Sequence, residues 1–155
     1  LASPSGAWSA PAAISAVIPW DATASTRNIA ASAQVAFDGA GDALATWRVG
    51  TGPFANRFTG GAWAGPVTLV ANPGDNTDGS AIAPIAFDPA GNATTAWWGH
   101  ATLQAAQLNA STGTSSAPVD LASPGSSVDV AFVPGPCGGP LVAFGSGEID
   151  VIGQH

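Results

Sequence analysis

Lysine, tyrosine and methionine are absent from this 155-residue chain, cysteine occurs once, at Cys137, and only 8% of the residues are charged. Three arginines, Arg27, Arg48 and Arg57, stand against ten carboxylates, for a formal net charge of −7. Nucleic acid is not an expected partner, because neutralising phosphates takes a basic surface. Attraction to an anionic membrane fails for the same reason. Membrane insertion is not expected either, since Gly, Pro, Ser or Asp interrupts every apolar run well short of the roughly 18 residues of a span. A single cysteine rules out an internal disulfide, and a thiol set among Gly and Pro reads as incidental. Methionine is missing even at position 1, from which we expect a processed chain or an excerpt of a longer one. Low charge and richness in Gly, Ala, Ser and Thr point to an exported, extracellular protein. With 46% hydrophobic residues the chain is globular rather than disordered.

What the chain does contain is repetition. Val35-Ala36-Phe37-Asp38-x-x-Gly41-x-Ala43-x-x-x-Trp47 returns as Ile85-Ala86-Phe87-Asp88-x-x-Gly91-x-Ala93-x-x-x-Trp97, and more loosely as Val130-Ala131-Phe132 running on to Phe144. A period of roughly 45 to 50 residues lies in the range of propeller blades and longer solenoid units.

Each repeat reads as four short strands, A to D. Strand A, Gln34 to Phe37, alternates with a period of two, as a half-buried strand does. Asp38-Gly39-Ala40-Gly41 and Asp88-Pro89-Ala90-Gly91 have hairpin chemistry: Asp accepts backbone bonds, Pro pre-sets φ, and Gly takes the left-handed conformation. Strand B is then Ala43 to Arg48 or Ala93 to Trp98, and strand C is Phe54 to Phe58 or Gln104 to Leu108. The one passable helical window, Ala101 to Asn109, thus reads as strand C of its repeat. A second signature follows, Gly61-Ala62-Trp63-x-x-Pro66-x-x-Leu69. It is present also as Gly6-Ala7-Trp8-x-x-Pro11-x-x-Ile14 and, worn, as Gly113-Thr114-Ser115-x-x-Pro118-x-x-Leu121. Proline costs a ladder donor, so this strand D belongs at an edge.

A last set, Asp129 to Phe132, Leu141 to Phe144 and Glu148 to Ile152, supplies A, B and C only. The expected fold is therefore all-β and β-propeller-like: three four-stranded antiparallel blades, one split between the chain ends. The repeats run over about 34–70 and 84–121, with the split one made of 129–153 plus 6–14. Three blades do not close a ring, since propellers have about four to eight. Two copies joining into one ring, or a longer parent chain, would complete it. A β-sandwich is the rival architecture.

The alternation of Gly-x-Trp-x-x-Pro-x-x-Leu with Asp-x-x-Gly-Asn-Ala-x-x-x-Trp, from Gly6 to about Ile152, resembles the degenerate propeller repeats of secreted bacterial, especially actinobacterial, proteins. It is distantly similar to sialidase-type and other sugar-associated propellers. The resemblance implies a propeller fold and export, and no particular activity. The third copy departs from the pattern, with Val133 in place of Asp and a longer turn, Pro134 to Gly139. Sialidase chemistry, which the resemblance brings to mind, needs a tyrosine nucleophile and an arginine cluster, and this chain has no tyrosine.

Other catalytic constellations are missing too. The histidines, His100 and His155, have no motif around them, and Glu148 is the sole glutamate, so neither a triad nor a glutamate pair can be written. Asp38 and Asp88 read as turn residues. The loop Asn72 to Gly79 echoes a calcium loop at Asn76-x-Asp78-Gly79. The match then fails at Gly74 and Ile85, leaving a polar loop and no expected metal or cofactor.

Strand direction places the D-to-A and B-to-C connections on one face. That face gathers Trp20, Asp21 and Arg27, the Asp75 and Asp78 loop, and Arg48, Trp98 and His100. Exposed Trp beside Asp, Arg and His suits a sugar ring or a partner side chain. Trp47 and Trp97 are expected to pack between blades instead. The functional expectation is a non-catalytic extracellular binding module for a glycan or protein. Its alternative is a structural subunit of an extracellular oligomer or filament, joined by strand addition at open edges.

Overall fold

A computed structural model describes residues 11–15, 30–49, 52–69, 85–99, 102–122, 130–134, 140–145 and 149–153. They form three antiparallel sheets, and no helix is present among the described residues. The first sheet holds β1 (Ala30–Phe37), β2 (Ala43–Val49), β3 (Gly52–Thr59), β4 (Ala62–Trp63) and β5 (Val67–Thr68), with β4 and β5 both paired to β3. The second is ordered β6 (Ala86–Phe87), β7 (Ala93–Gly99), β8 (Thr102–Leu108) and β9 (Val119–Ala122). The third is β10 (Val130–Pro134), β11 (Pro140–Gly145) and β12 (Ile149–Gly153). Strands A, B and C thus fall where the alternation puts them, and the Ala-rich window is strand β8.

The repeat holds at the level of single hydrogen-bonded pairs. On β2 and β3, Ala43 faces Phe58, Ala45 faces Asn56 and Trp47 faces Phe54; adding fifty to each number gives the partners on β7 and β8. The turns coincide as well. Asp38 N–H donates to the Asp42 carbonyl and Asp88 N–H to that of Asn92, both at 2.9 Å, with Gly41 and Gly91 at φ +90° and +81°. In each turn one carboxylate oxygen of the leading Asp accepts two backbone N–H groups, from Ala40 and Asp42 at 2.9 Å, and from Ala90 and Asn92 at 2.9 and 2.8 Å. These are the turn roles expected of Asp38 and Asp88.

Strand D lies at the outer edge, as the prolines require, but it is broken. Pro66 separates β4 from β5, and in the second sheet only the Leu108–Ser115 bridge precedes β9. At the break Gly65 takes φ +120° and gives its N–H to Asn56 Oδ1 at 2.9 Å, so a side chain replaces a ladder carbonyl. The N-terminal copy of this signature behaves differently. Pro11–Ser15 carry no strand, and the expected partner segment from Gly6 to Ala10 lies outside the described residues. Ala12 and Ala13 stand where the first repeat has β-branched Val67 and Thr68, which favour a pleated strand more strongly.

The main core lies between the first two sheets. Leu44, Ala55 and Leu69 of the first repeat pack with Ala93, Trp97, Ala106 and Leu108 of the second, and Ile85 and Phe87 close the margin. Because side chains alternate across a strand, Leu44 belongs to one face of sheet one and Trp97 to the facing side of sheet two. Trp97 is therefore an inter-sheet residue, as expected. Beyond it, β10 of the third sheet runs beside β6.

Candidate functional site

The structure gathers polar side chains at one end of the first two sheets, where the A-to-B turns sit side by side. Arg57, on β3, is 95% buried there by its neighbours, with 5% of its surface exposed. Its Nη1 donates to the carbonyl of Gly91 at 3.1 Å, across to the second sheet. Its Nη2 lies 3.7 Å from Asp38 Oδ2 and 3.6 Å from Asp42 Oδ2. These are charge contacts longer than hydrogen bonds, and Asp42 Oδ2 instead accepts the Thr59 hydroxyl at 2.9 Å. The Arg57 Nε has no partner among the described residues. Around this group runs a cleft of about 460 Å³, walled by Asp38, Asp42, Asp88, Gly91 and Ala110.

In the second repeat the same positions hold a neutral version. Asn92 replaces Asp42 and donates to Asp88 Oδ2 at 2.8 Å, while its Oδ1 accepts the Ala110 N–H at 2.9 Å. Gln107 stands at the position of Arg57. Both arrangements hold turns and sheets together, the first through Arg57 and the second through Asn92. A group of three or more His, Cys, Asp or Glu side chains placed to hold a metal ion is not found among the described residues.

A second feature is an apolar hollow of about 440 Å³ on the outer face of the first sheet, lined by Ile14, Val35, Ala45, Trp47 and Trp63 among others. Trp47 stacks on Phe54 with ring centres 6.3 Å apart and planes 13° from parallel, and Phe58 meets Trp63 at 5.4 Å. Ile14 packs into this cluster, and its carbonyl accepts the Asn56 Nδ2–H at 2.7 Å. Trp47 is thus buried against its own sheet and Ile14.

No family model matches this sequence, and no curated protein matches it.

Of the residues expected at the opposite end, Arg48 is half-buried on β2, facing Ala31 and Pro53 across the ladders, with no partner on its Nε among the described residues. Trp98 holds the equivalent place on β7, opposite Leu103. Both therefore lie near the B-to-C end of adjacent sheets. His100 falls between Gly99 and Thr102, which pair with each other, and itself lies outside the described residues, as do Trp20, Asp21, Arg27, Asp75, Asp78 and Cys137. Sequence reasoning gave Arg57, Asp42 and Asn56 no role. A signal was present: comparing the repeats position by position shows Asp42 and Arg57 replaced together by Asn92 and Gln107.

Proposed function

We propose that the chain is a non-catalytic extracellular β-propeller module. It recognises a glycan or a protein at the rim that holds Arg48 and Trp98, and its ring is completed by a second copy or by a longer parent chain. The observation that carries this reading is the coincidence of ladder and turn fifty residues apart. The last apolar residues of two successive signatures pack at successive sheets: Ile14 on sheet one, and Leu69 in the core between sheets one and two. Repetition of one sheet unit at a fixed interval favours a propeller over a two-layer sandwich.

The charged groups at the A-to-B end are engaged in turn and inter-sheet contacts, which leaves the other end for recognition. Trp98 and Arg48 there suit a sugar ring or a partner side chain, with Trp20, Asp75, Asp78 and His100 as proposed contributors. Assembly by strand addition is the weaker reading, because the outer edge of the first sheet is two two-residue strands interrupted by Pro66. A glycan array run with the chain and its Trp20→Ala, Arg48→Ala and Trp98→Ala variants tests the recognition rim. Binding that falls at least tenfold in one of the variants supports it. Binding to no glycan, or binding that all three variants keep, rejects a glycan ligand at this rim.

A further inference from the structure

Two Asn-x-Ser/Thr triplets without proline at the middle place occur in the chain, Asn92-Ala93-Thr94 and Asn109-Ala110-Ser111. This is the acceptor pattern for an N-linked sugar, which is bulky and needs a surface turn with the amide nitrogen free. The structure treats the two triplets differently. Asn92 is half-buried between turns: its Nδ2 donates to Asp88 Oδ2 at 2.8 Å, its Oδ1 accepts the Ala110 N–H at 2.9 Å, and Thr94 is 7% exposed on β7. A sugar on that nitrogen collides with the contacts that join the two turns. Asn109 and Ser111 are both exposed, in the turn that follows β8. Asn109 Oδ1 accepts the N–H and hydroxyl of Ser111 at 2.9 and 2.7 Å and those of Thr112 at 3.0 and 3.3 Å. Backbone N–H groups only donate, so the accepting atom is the oxygen. The carboxamide is planar, and an oxygen held against the turn directs Nδ2 away from it. No hydrogen bond engages that nitrogen among the described residues.

We infer that Asn109 is the acceptor of an N-linked glycan and that Asn92 is not. The inference rests only on the export part of the reading above, and the co-reactant is a polyprenyl-diphosphate-linked oligosaccharide of a secretory pathway. Transfer forms a bond from Asn109 Nδ2 to the anomeric carbon of the first sugar and breaks that carbon's bond to the diphosphate oxygen. The polyprenyl diphosphate leaves with the electron pair of the broken bond, and one Nδ2 proton passes to a base of the transferase. Ala110, next in the chain, bonds Asn92 at the A-to-B end of the sheets. The sugar therefore stands at the end opposite Arg48 and Trp98, which lie near the B-to-C connections. Glycan attachment at one end and recognition at the other do not compete for surface.

Expression of the 155-residue chain behind a cleavable leader in yeast, with intact mass measured on protein recovered from the secretory membranes and the medium, tests the inference. The expected result is a mass above 15.1 kDa that returns to it on treatment with the amidase that removes N-linked sugars. That enzyme leaves Asp where the sugar stood, so peptide mapping reads the site, and Asp is expected at 109 with Asn kept at 92. Ser111→Ala removes the acceptor pattern at an exposed residue and leaves Asn109 its bonds from Thr112 and the Ser111 N–H. It should lose the added mass while its thermal unfolding matches that of the deglycosylated chain; Ser111→Thr should keep the added mass. A chain found wholly at 15.1 kDa overturns the inference, and so does Asp at 92 or added mass that Ser111→Ala retains. The leader supplies export, so a negative result counts against this site and leaves the recognition rim to its own test.

Discussion

The guanidinium of Arg57 donates to the backbone carbonyl of Gly91 at 3.1 Å, joining the third strand of one sheet to the first turn of the next. The same group faces Asp38 and Asp42, and Asp38 is itself almost wholly buried, with 7% of its side chain exposed. Removing the cation alone leaves Asp38 without its countercharge and Gly91 without its donor. Arg57→Ala is expected to cost about 3 kcal/mol or more in chemical denaturation, the range for breaking a buried pair from one side. The second repeat supplies the compensating change. Arg57→Gln combined with Asp42→Asn should recover at least half of that loss, because Asn at 42 can donate to Asp38 as Asn92 does to Asp88.

Turn chemistry gives a second prediction. Asp88→Ala removes an acceptor from the N–H groups of Ala90 and Asn92 and a partner from the Asn92 side chain. A loss of about 1.5–3 kcal/mol is expected from hydrogen bonds made to a charged group. Asp88→Asn keeps an oxygen for the two backbone donors and should lose less than half as much. Equal losses for the two variants would show that the turn does not depend on that oxygen.

Ser32 is the one non-glycine residue among those described with positive φ, +55°, and it sits in a bulge where β1 slips register between Ala31 and Gln34. Left-handed geometry costs a residue with a Cβ roughly 1–2 kcal/mol, whereas glycine adopts it freely at some cost in unfolded-state entropy. Ser32→Gly should leave stability unchanged or raise it by up to about 1 kcal/mol, and Ser32→Val should lower it by more than about 1 kcal/mol. Thermal unfolding of both variants checks the order. Val matching Gly would mean that the bulge is not held in this conformation.

Asn56 bonds two segments at once, the carbonyl of Ile14 at 2.7 Å and the N–H of Gly65 at 2.9 Å. The second repeat has Ala106 at this place, so alanine is compatible with the strand. Asn56→Ala should cost about 1–3 kcal/mol for the two groups left unpaired. Limited proteolysis near Pro11–Ser15 should accelerate severalfold. An unchanged cleavage rate would mean that Ile14 is held by packing on Trp47 alone.

Strand positions were legible in the sequence because each carries its own local evidence. Val35 and Phe37 alternate with smaller residues, Asp38 to Gly41 spells a hairpin, and the copy fifty residues on repeats both. The edge position of strand D followed from Pro66 and Pro118. Its interruption did not, since that depends on Asn56 reaching Gly65 from the neighbouring strand. The role of Arg57 is hidden in the sequence for a similar reason: its partners, Asp38 and Asp42 in one turn and Gly91 in the next, lie on two segments that only folding brings to it. The recognition rim expected from Trp20, Asp75, Asp78 and His100 lies on connections outside the described residues, and only Arg48 and the backbone of Trp98 fix its place on the sheets.

The account depends on consecutive sheets meeting face to face, with Leu44 and Trp97 in one core. A double-mutant cycle on Leu44→Ala and Trp97→Phe measures this directly by equilibrium denaturation. A coupling of about 0.5 kcal/mol or more is predicted for residues sharing a core. Strict additivity, with the two losses summing to within about 0.3 kcal/mol, would contradict it.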